Sequence, residues 1–251
     1  MPDLVTTADH VAAAEIATAA GELLLRVRAS GATGGELKAA GDLASQDLIA
    51  RELRARFPDD PVLSEEAVDD VARLDSRRVW IVDPLDGTRE FSEPPRDDWA
   101  VHVALAVDGH AVVGAVALPA LDVTFTTASP SSVPPRPERP VRLLVSRTRP
   151  TEHARFLADR LRGEFVPMGS AGAKAMAVVR GDADVYAHSG GQYEWDSAAP
   201  VAVAAAAGLH VSRIDGAPLV YNRADPWLPD LLVCRPELAE TVIAAMREAT
   251  S

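Results

Sequence analysis

Three short strings put carboxylates among apolar neighbours. The first is Trp80-Ile81-Val82-Asp83-Pro84-Leu85-Asp86-Gly87-Thr88. An apolar strand there delivers two carboxylates three residues apart, then a glycine and a hydroxyl. Two charges leaving a buried strand repel and cost desolvation energy unless a cation or hydrogen bonds compensate. Oxygen-rich clusters of this kind suit Mg²⁺, which takes carboxylates together with water and phosphate oxygens. Gly87 allows backbone N–H groups to come close to an anion. The second string, Val62-Leu63-Ser64-Glu65-Glu66, carries two glutamates after an apolar pair. Taken alone it reads as a strand end reaching solvent. The third, Glu194-Trp195-Asp196-Ser197-Ala198-Ala199, opens a helix at Asp196. Asp196 is an N-cap by type, and a carboxylate at a helix start can also hold a metal where phosphate is attracted. The joint expectation is metal-assisted phosphate chemistry.

The elements that must position these acids follow from pattern. Thr6 or Thr7 caps a helix to about Ala29, and a second helix covers Asp42 to Phe57 with Leu43, Ala50, Leu53 and Phe57 on one face. Val79 to Val82 is a short buried strand. Ala100 to Val107 alternates, Asp108-Gly109 turns, and Ala111 to Leu118 returns, which is a strong hairpin signal. Leu121 to Thr127 adds a third strand. Five prolines between Ser129 and Pro140 block helix and central strand. The organisation expected is therefore an α+β half over 1–128, a Pro-rich linker or loop over 129–140, and an α/β half over 141–251.

The chain has 251 residues, with 25 Lys or Arg against 37 Asp or Glu, for a formal net charge of −12. That balance opposes binding to nucleic acid as a polymer and to an anionic membrane surface. It does not oppose a small nucleotide, because bound Mg²⁺ inverts the local charge. The single cysteine, Cys234, excludes an internal disulfide and a Cys-based zinc site and favours a cytoplasmic setting. The six histidines lack metal-ligand spacing, and no side chain has the setting of a covalent nucleophile.

Together the strings Trp80-x-x-Asp83-Pro84-x-Asp86-Gly87-Thr88-x-x-Phe91, Glu65-Glu66 and Trp195-Asp196-x-Ala198-Ala199 resemble, in order and spacing, the inositol monophosphatase superfamily of Mg²⁺-dependent, lithium-sensitive phosphomonoesterases. Gly169-Ser170-Ala171 and the segment 174–186 are similar to this family too. Pro61 to Glu66 and Lys174 resemble its CysQ-like branch of 3′(2′),5′-bisphosphate nucleotidases, of actinobacterial type. The resemblance implies a layered αβαβα fold (α/β, α+β) with the site between the halves. It implies that Glu65, Asp83 and the Leu85 carbonyl hold one Mg²⁺, that Asp83, Asp86 and Asp196 hold a second, and that a third, weaker ion sits near Glu65. Backbone N–H groups of Gly87 and Thr88 would bind phosphate. Thr88 matches the family's water-orienting threonine. Asp42, twenty-three residues before Glu65, matches its aspartate, with Asp47 the competitor. Ser170 and Lys174 are candidates for contacts to the rest of the substrate, and His188 stands where nucleotide-specific relatives carry arginine. Ala39 departs from the family's threonine three residues before its aspartate.

The activity so implied is hydrolysis of the 3′-phosphate of 3′-phosphoadenosine 5′-phosphate (PAP) to AMP by a metal-activated water, in sulfur assimilation, with a homodimer as the family's assembly. The alternative is inositol monophosphatase or fructose-1,6-bisphosphatase activity. A haloacid-dehalogenase mechanism needs one residue between its aspartates, whereas Asp83 and Asp86 are separated by two. A non-catalytic nucleotide- or metal-binding module is opposed by intact acids in all three strings.

Overall fold

A computed structural model of the chain describes residues 4–148 and 150–249. Two helices come first, α1 (Thr7–Arg28) and α2 (Gly34–Arg56). A five-stranded sheet follows, in the order β1 (Val62–Ser64), β2 (Arg78–Asp86), β3 (Ala100–Val107), β4 (His110–Leu118), β5 (Val123–Thr126). A single helical turn, α3 (Thr88–Phe91), sits directly after β2. The second half holds β6 (Arg142–Ser146), α4 (Glu152–Leu161), β7 (Glu164–Met168), α5 (Ala171–Val179), β8 (Val185–His188), β9 (Gln192–Tyr193) and α6 (Glu194–Ala206). After them come β10 (His210–Ser212), β11 (Trp227–Leu228), β12 (Leu231–Cys234) and α7 (Ala239–Ala249). Its main sheet runs β10-β12-β8-β6-β7, and β9 and β11 form a separate two-stranded ribbon. No described helix is long and apolar enough to cross a membrane.

Three apolar clusters define the layers. Ala13, Ile16 and Leu24 of α1 and Leu37, Ile49 and Leu53 of α2 pack on one face of the first sheet, through Trp80, Val82, Val101, Val103 and Leu105. The opposite face, with Val79, Ile81, Ala104 and Val116, packs on α5 and α6, whose far side meets Leu144, Tyr186, Leu231 and Val233 of the second sheet. The outer face of that sheet is covered by α4 and α7 through Leu157, Val242 and Met246. The order is α1/α2, sheet, α5/α6, sheet, α4/α7, which is the layered αβαβα arrangement. The expected hairpin is present, and its alternation has a finer meaning. Every residue of β3 is buried. Its large apolar side chains face α1 and α2, while Ala100, Ala104 and Ala106 let α5 and α6 approach closely and His102 points to the same side.

Several expectations change. Helix α2 begins at Gly34, eight residues before Asp42, so Asp42 lies inside the helix and is not its N-cap. Leu43 is 64% exposed. The buried stripe is Leu37, Gly41, Ser45, Ile49 and Leu53, a strict i, i+4 row whose Gly and Ser hide its apolar character. A Cβ at Gly41 would come within 2.9 Å of the Leu85 side chain and 2.8 Å of Phe91, so glycine lets α2 lie directly on the end of β2. The Pro-rich segment carries no helix or strand, yet it is pinned to the second half. The Pro134 carbonyl accepts from Arg235 Nη1 at 3.0 Å, and Arg139 pairs with buried Asp184.

Candidate active site

The site forms where β2 runs out. Asp83 and Asp86 lie on that strand, 1% and 8% exposed. Asp196 comes from the first turn of α6, and one oxygen from each of the three lies within 4.8 Å of the others. Asp196 is the third residue of its helix and does not cap it by position. Its Oδ2 reaches back to accept the Tyr193 N–H at 2.6 Å, which fixes the carboxylate at the helix start. Asp83 Oδ1 accepts the Leu85 N–H at 3.0 Å. The irregular pairing between Asp83 and Asp86 opens the strand there, and buried Ser45 of α2 secures the irregularity by donating to the Pro84 carbonyl at 2.6 Å. Gly87, at φ +84°, turns the chain into α3 in a conformation that side-chain-bearing residues rarely adopt. Thr88 starts that turn and donates its hydroxyl to the Leu85 carbonyl at 3.1 Å.

Asp86 is treated differently from its neighbours. Its Oδ2 accepts from Ser170 Oγ at 2.5 Å and Gly172 N–H at 2.6 Å, and its Oδ1 from Ala171 N–H at 3.1 Å. His102 Nε2 lies 3.2 Å from Oδ2. Burial works against its charge, but His102, Ser170 and the Gly172 amide outweigh it and hold the carboxyl at about 2. Asp83 has no such cradle. Burial first, then Asp86, Glu65 and Asp196, push its carboxyl well above the usual range. Asp196 is pushed up to about 6 by burial and then by Asp86, and Glu65 to about 7 by burial and then by Asp196. Crowded carboxylates that resist full ionisation are a donor set for a hard divalent cation, so these residues fit the metal site that the strings suggest.

The other expected residues fall around this cluster. Asp42 is half-buried, and its carboxyl is pushed up to about 6 by burial and then by Glu66, while Asp47 is exposed. A cavity of about 470 Å³ opens over Asp86 and Asp196, with Ser170, Lys174 and His188 in its wall. The Lys174 ammonium donates to the Gly169 carbonyl and lies 5.2 Å from the Tyr186 ring centre. His188 Nε2 is 2.8 Å from the Gly191 carbonyl, and burial lowers its proton affinity, so this ring is a neutral donor to the backbone. His102 was not singled out from the sequence. A signal existed: counting the hairpin register back from Asp108-Gly109 and across to β2 sets His102 opposite Asp83, and a lone histidine in an all-buried strand needs a partner. Arg89 and Arg147, also in the cavity wall, carried no sequence signal.

The model of the family described as "Inositol monophosphatase family" matches residues 3–251. A protein of Mycobacterium tuberculosis named 3′-phosphoadenosine 5′-phosphate phosphatase is 51% identical over 247 residues, spanning 92% of this chain and 90% of its own length. The 3′(2′),5′-bisphosphate nucleotidase CysQ of Escherichia coli is 34% identical, over 75% of this chain and 81% of its own. In three dimensions, CysQ from Bacteroides thetaiotaomicron superposes with a TM-score of 0.79 at 26% identity, covering 93% of this chain and 99% of the other. With the acids, the layers and these likenesses in agreement, the chain belongs to the inositol monophosphatase family of metal-dependent phosphatases.

Proposed function

We propose that this protein is a Mg²⁺-dependent phosphomonoesterase that removes the 3′-phosphate of PAP, leaving AMP and phosphate. The observation that carries the reading is the convergence of Asp83, Asp86 and Asp196, of which Asp86 and Asp196 line a cavity whose wall includes Arg89, Arg147 and Lys174. The arginines are paired with Glu90 and Glu93, so Lys174 is the wall's cation that no carboxylate pairs among the described residues, and an acid cluster beside it suits a cation below a phosphorylated ligand. Support for the nucleotide comes from relatives at 48–51% identity that are named for PAP.

In this reading Asp83, Asp86, Asp196, Glu65 and the Leu85 carbonyl hold the metal. When bound, Mg²⁺ neutralises phosphate charge and lowers the pKa of water in its shell. The N–H groups of Gly87 and Thr88, which the start of α3 leaves without helical acceptors, donate to phosphate oxygens. The Thr88 hydroxyl orients the attacking water. Asp42, with its carboxyl near 6, accepts the proton near neutral pH, where a base of that strength is effective. Ser170 fixes Asp86 through its hydroxyl, and Lys174 supplies positive charge toward the substrate's remaining groups. We place the enzyme in the cytoplasm, since its one cysteine, Cys234, is buried and free.

The test is phosphate release from PAP, inositol 1-phosphate and fructose 1,6-bisphosphate at equal Mg²⁺, with added Li⁺ as inhibitor. PAP is expected to be preferred. A tenfold or greater preference for either non-nucleotide overturns the assignment.

A further inference from the structure

The cavity over the acid cluster is in the range that encloses a whole small molecule, larger than a phosphate group alone requires. Part of its rim is the β9–β11 ribbon, in which Trp227 pairs with Tyr193 and Leu228 with Gln192. Trp227 and Tyr193 both line the cavity, yet they are 43% and 45% exposed. Tyr193 already has a ring partner, stacking on Trp195 with centres 4.7 Å apart. Trp227 has no aromatic partner among the described contacts. Its six-membered ring is seated on Gly191, where a Cβ would come within 2.6 Å of Cζ2.

An exposed indole on a loop would ordinarily be free to move, but this one is anchored. The buried Glu194 carboxylate accepts the N–H groups of Asn222 and Arg223 at 2.7 and 2.9 Å. Glu194 N–H donates to the Pro226 carbonyl at 2.8 Å, and Gly191 N–H to that of Pro229 at 3.0 Å. The segment carrying Trp227 is therefore tied to the start of α6, two residues from Asp196. One helix start holds both an aromatic surface and a member of the acid cluster at a fixed separation.

We propose that the β9–β11 ribbon is the base subsite of this enzyme: Trp227, exposed at the cavity rim, stacks on the purine of the substrate. The assignment rests on the nucleotide reading above and goes beyond it by naming the residue that distinguishes a nucleotide from a phosphorylated polyol. Stacking on an aromatic side chain recognises a base through its flat face, which inositol and fructose phosphates lack.

The test compares wild type, Trp227→Ala and Trp227→Phe on PAP and inositol 1-phosphate at saturating Mg²⁺. Thermal melts confirm that each variant is folded. Trp227→Ala is expected to raise KM for PAP tenfold or more with kcat within about twofold, lowering the preference for PAP over inositol 1-phosphate by the same factor. Trp227→Phe should restore most of it. A wild type that prefers inositol 1-phosphate overturns the nucleotide reading and this assignment together. A wild type that prefers PAP, with a Trp227→Ala variant that keeps that preference, overturns the base subsite alone.

Discussion

Replacing Asp83 with Asn should stabilise the metal-free protein and abolish its response to metal. Asp83 is 1% exposed and shares the cluster with Asp86 and Asp196. At 4.8 Å, two unit charges repel by about 3.5 kcal/mol at an effective dielectric constant of ~20. Burial and these neighbours raise the Asp83 carboxyl well above its usual range, so its charged form is the unfavourable one in the metal-free protein. Asparagine needs no proton. Its Oδ1 can still accept the Leu85 N–H, while its amide donors lack an evident partner, which returns about 1–3 kcal/mol. Relief of the repulsion exceeds that loss by about 1.5 kcal/mol, or a Tm rise of about 3–6 °C for a chain of this size. Excess Mg²⁺ should reverse the ranking. At a hundredfold excess over Kd, binding adds about 2.7 kcal/mol to wild type and little to the variant. Circular-dichroism melts in EDTA and in Mg²⁺, paired with phosphate-release assays, read both effects. A variant that melts below wild type in EDTA, or gains as much from Mg²⁺, refutes the electrostatic account of the site.

The pH dependence in EDTA follows from the same groups. The folded-state pKa of Asp196 is raised to about 6, so the folded state holds this proton more tightly than the unfolded chain. The penalty is absent below about pH 4, grows as pH rises, and is complete above the folded value, at about 3 kcal/mol. Melting temperature should therefore fall from pH 4 to pH 7 without metal, and a slope of the opposite sign in EDTA would exclude this origin. Gly172→Ala would place a Cβ 2.0 Å from His102 Nε2, separating His102 and the Gly172 amide from Asp86. A tenfold or greater loss of kcat/KM and a Tm loss of several degrees are expected, and a crystal structure of the variant would show whether the cradle moved. Thr88→Ala and Asp42→Asn should each lower kcat by about 10²–10⁴ while keeping stabilisation by Mg²⁺. Asp47→Asn, at an exposed position, should leave kcat within twofold, and the reverse ranking in steady-state assays would favour Asp47 as the base.

The parts that were legible in the sequence are those where chemistry overrides local propensity. Asp83 and Asp86 at the end of an apolar strand need a cause, and that need is visible without coordinates. The Asp108-Gly109 hairpin was equally plain, because its turn residues have few other uses. What was hidden depends on close approach. The buried row of α2 passes through Gly41 and Ser45, which look polar or neutral although one admits Leu85 and the other holds the Pro84 carbonyl. Leu43 was misplaced because an apolar type suggested burial, while the fold buries the small residues beside it. Strand β7 contains Pro167, which local rules take as a breaker; it lies at a sheet edge, where a missing N–H can be tolerated. The β9–β11 ribbon has two residues in each strand, too short for any alternation to register.

The unequal treatment of the carboxylates explains how a metal-free cluster can still be a prepared one. If Asp83, Asp86 and Asp196 were all unsupported, each would share protons with the others and their oxygens would turn toward whatever donor came near. Asp86 is instead fixed from the far side of the cleft. Three of its donors come from the start of α5, which packs against both sheets, and His102 approaches from β3 while its Nδ1 lies 3.0 Å from the Trp195 carbonyl. The contact to Trp195 ties His102 to the residue before Asp196. One anion is thereby locked in charge and direction, and its Oδ1 accepts only one of the hydrogen bonds and keeps a lone pair for a cation. The acids facing it exchange their excess protons for metal charge when the ion enters. Binding should therefore release protons from Asp83, Glu65 and Asp196, the groups displaced upward, and none from Asp86, the group displaced downward.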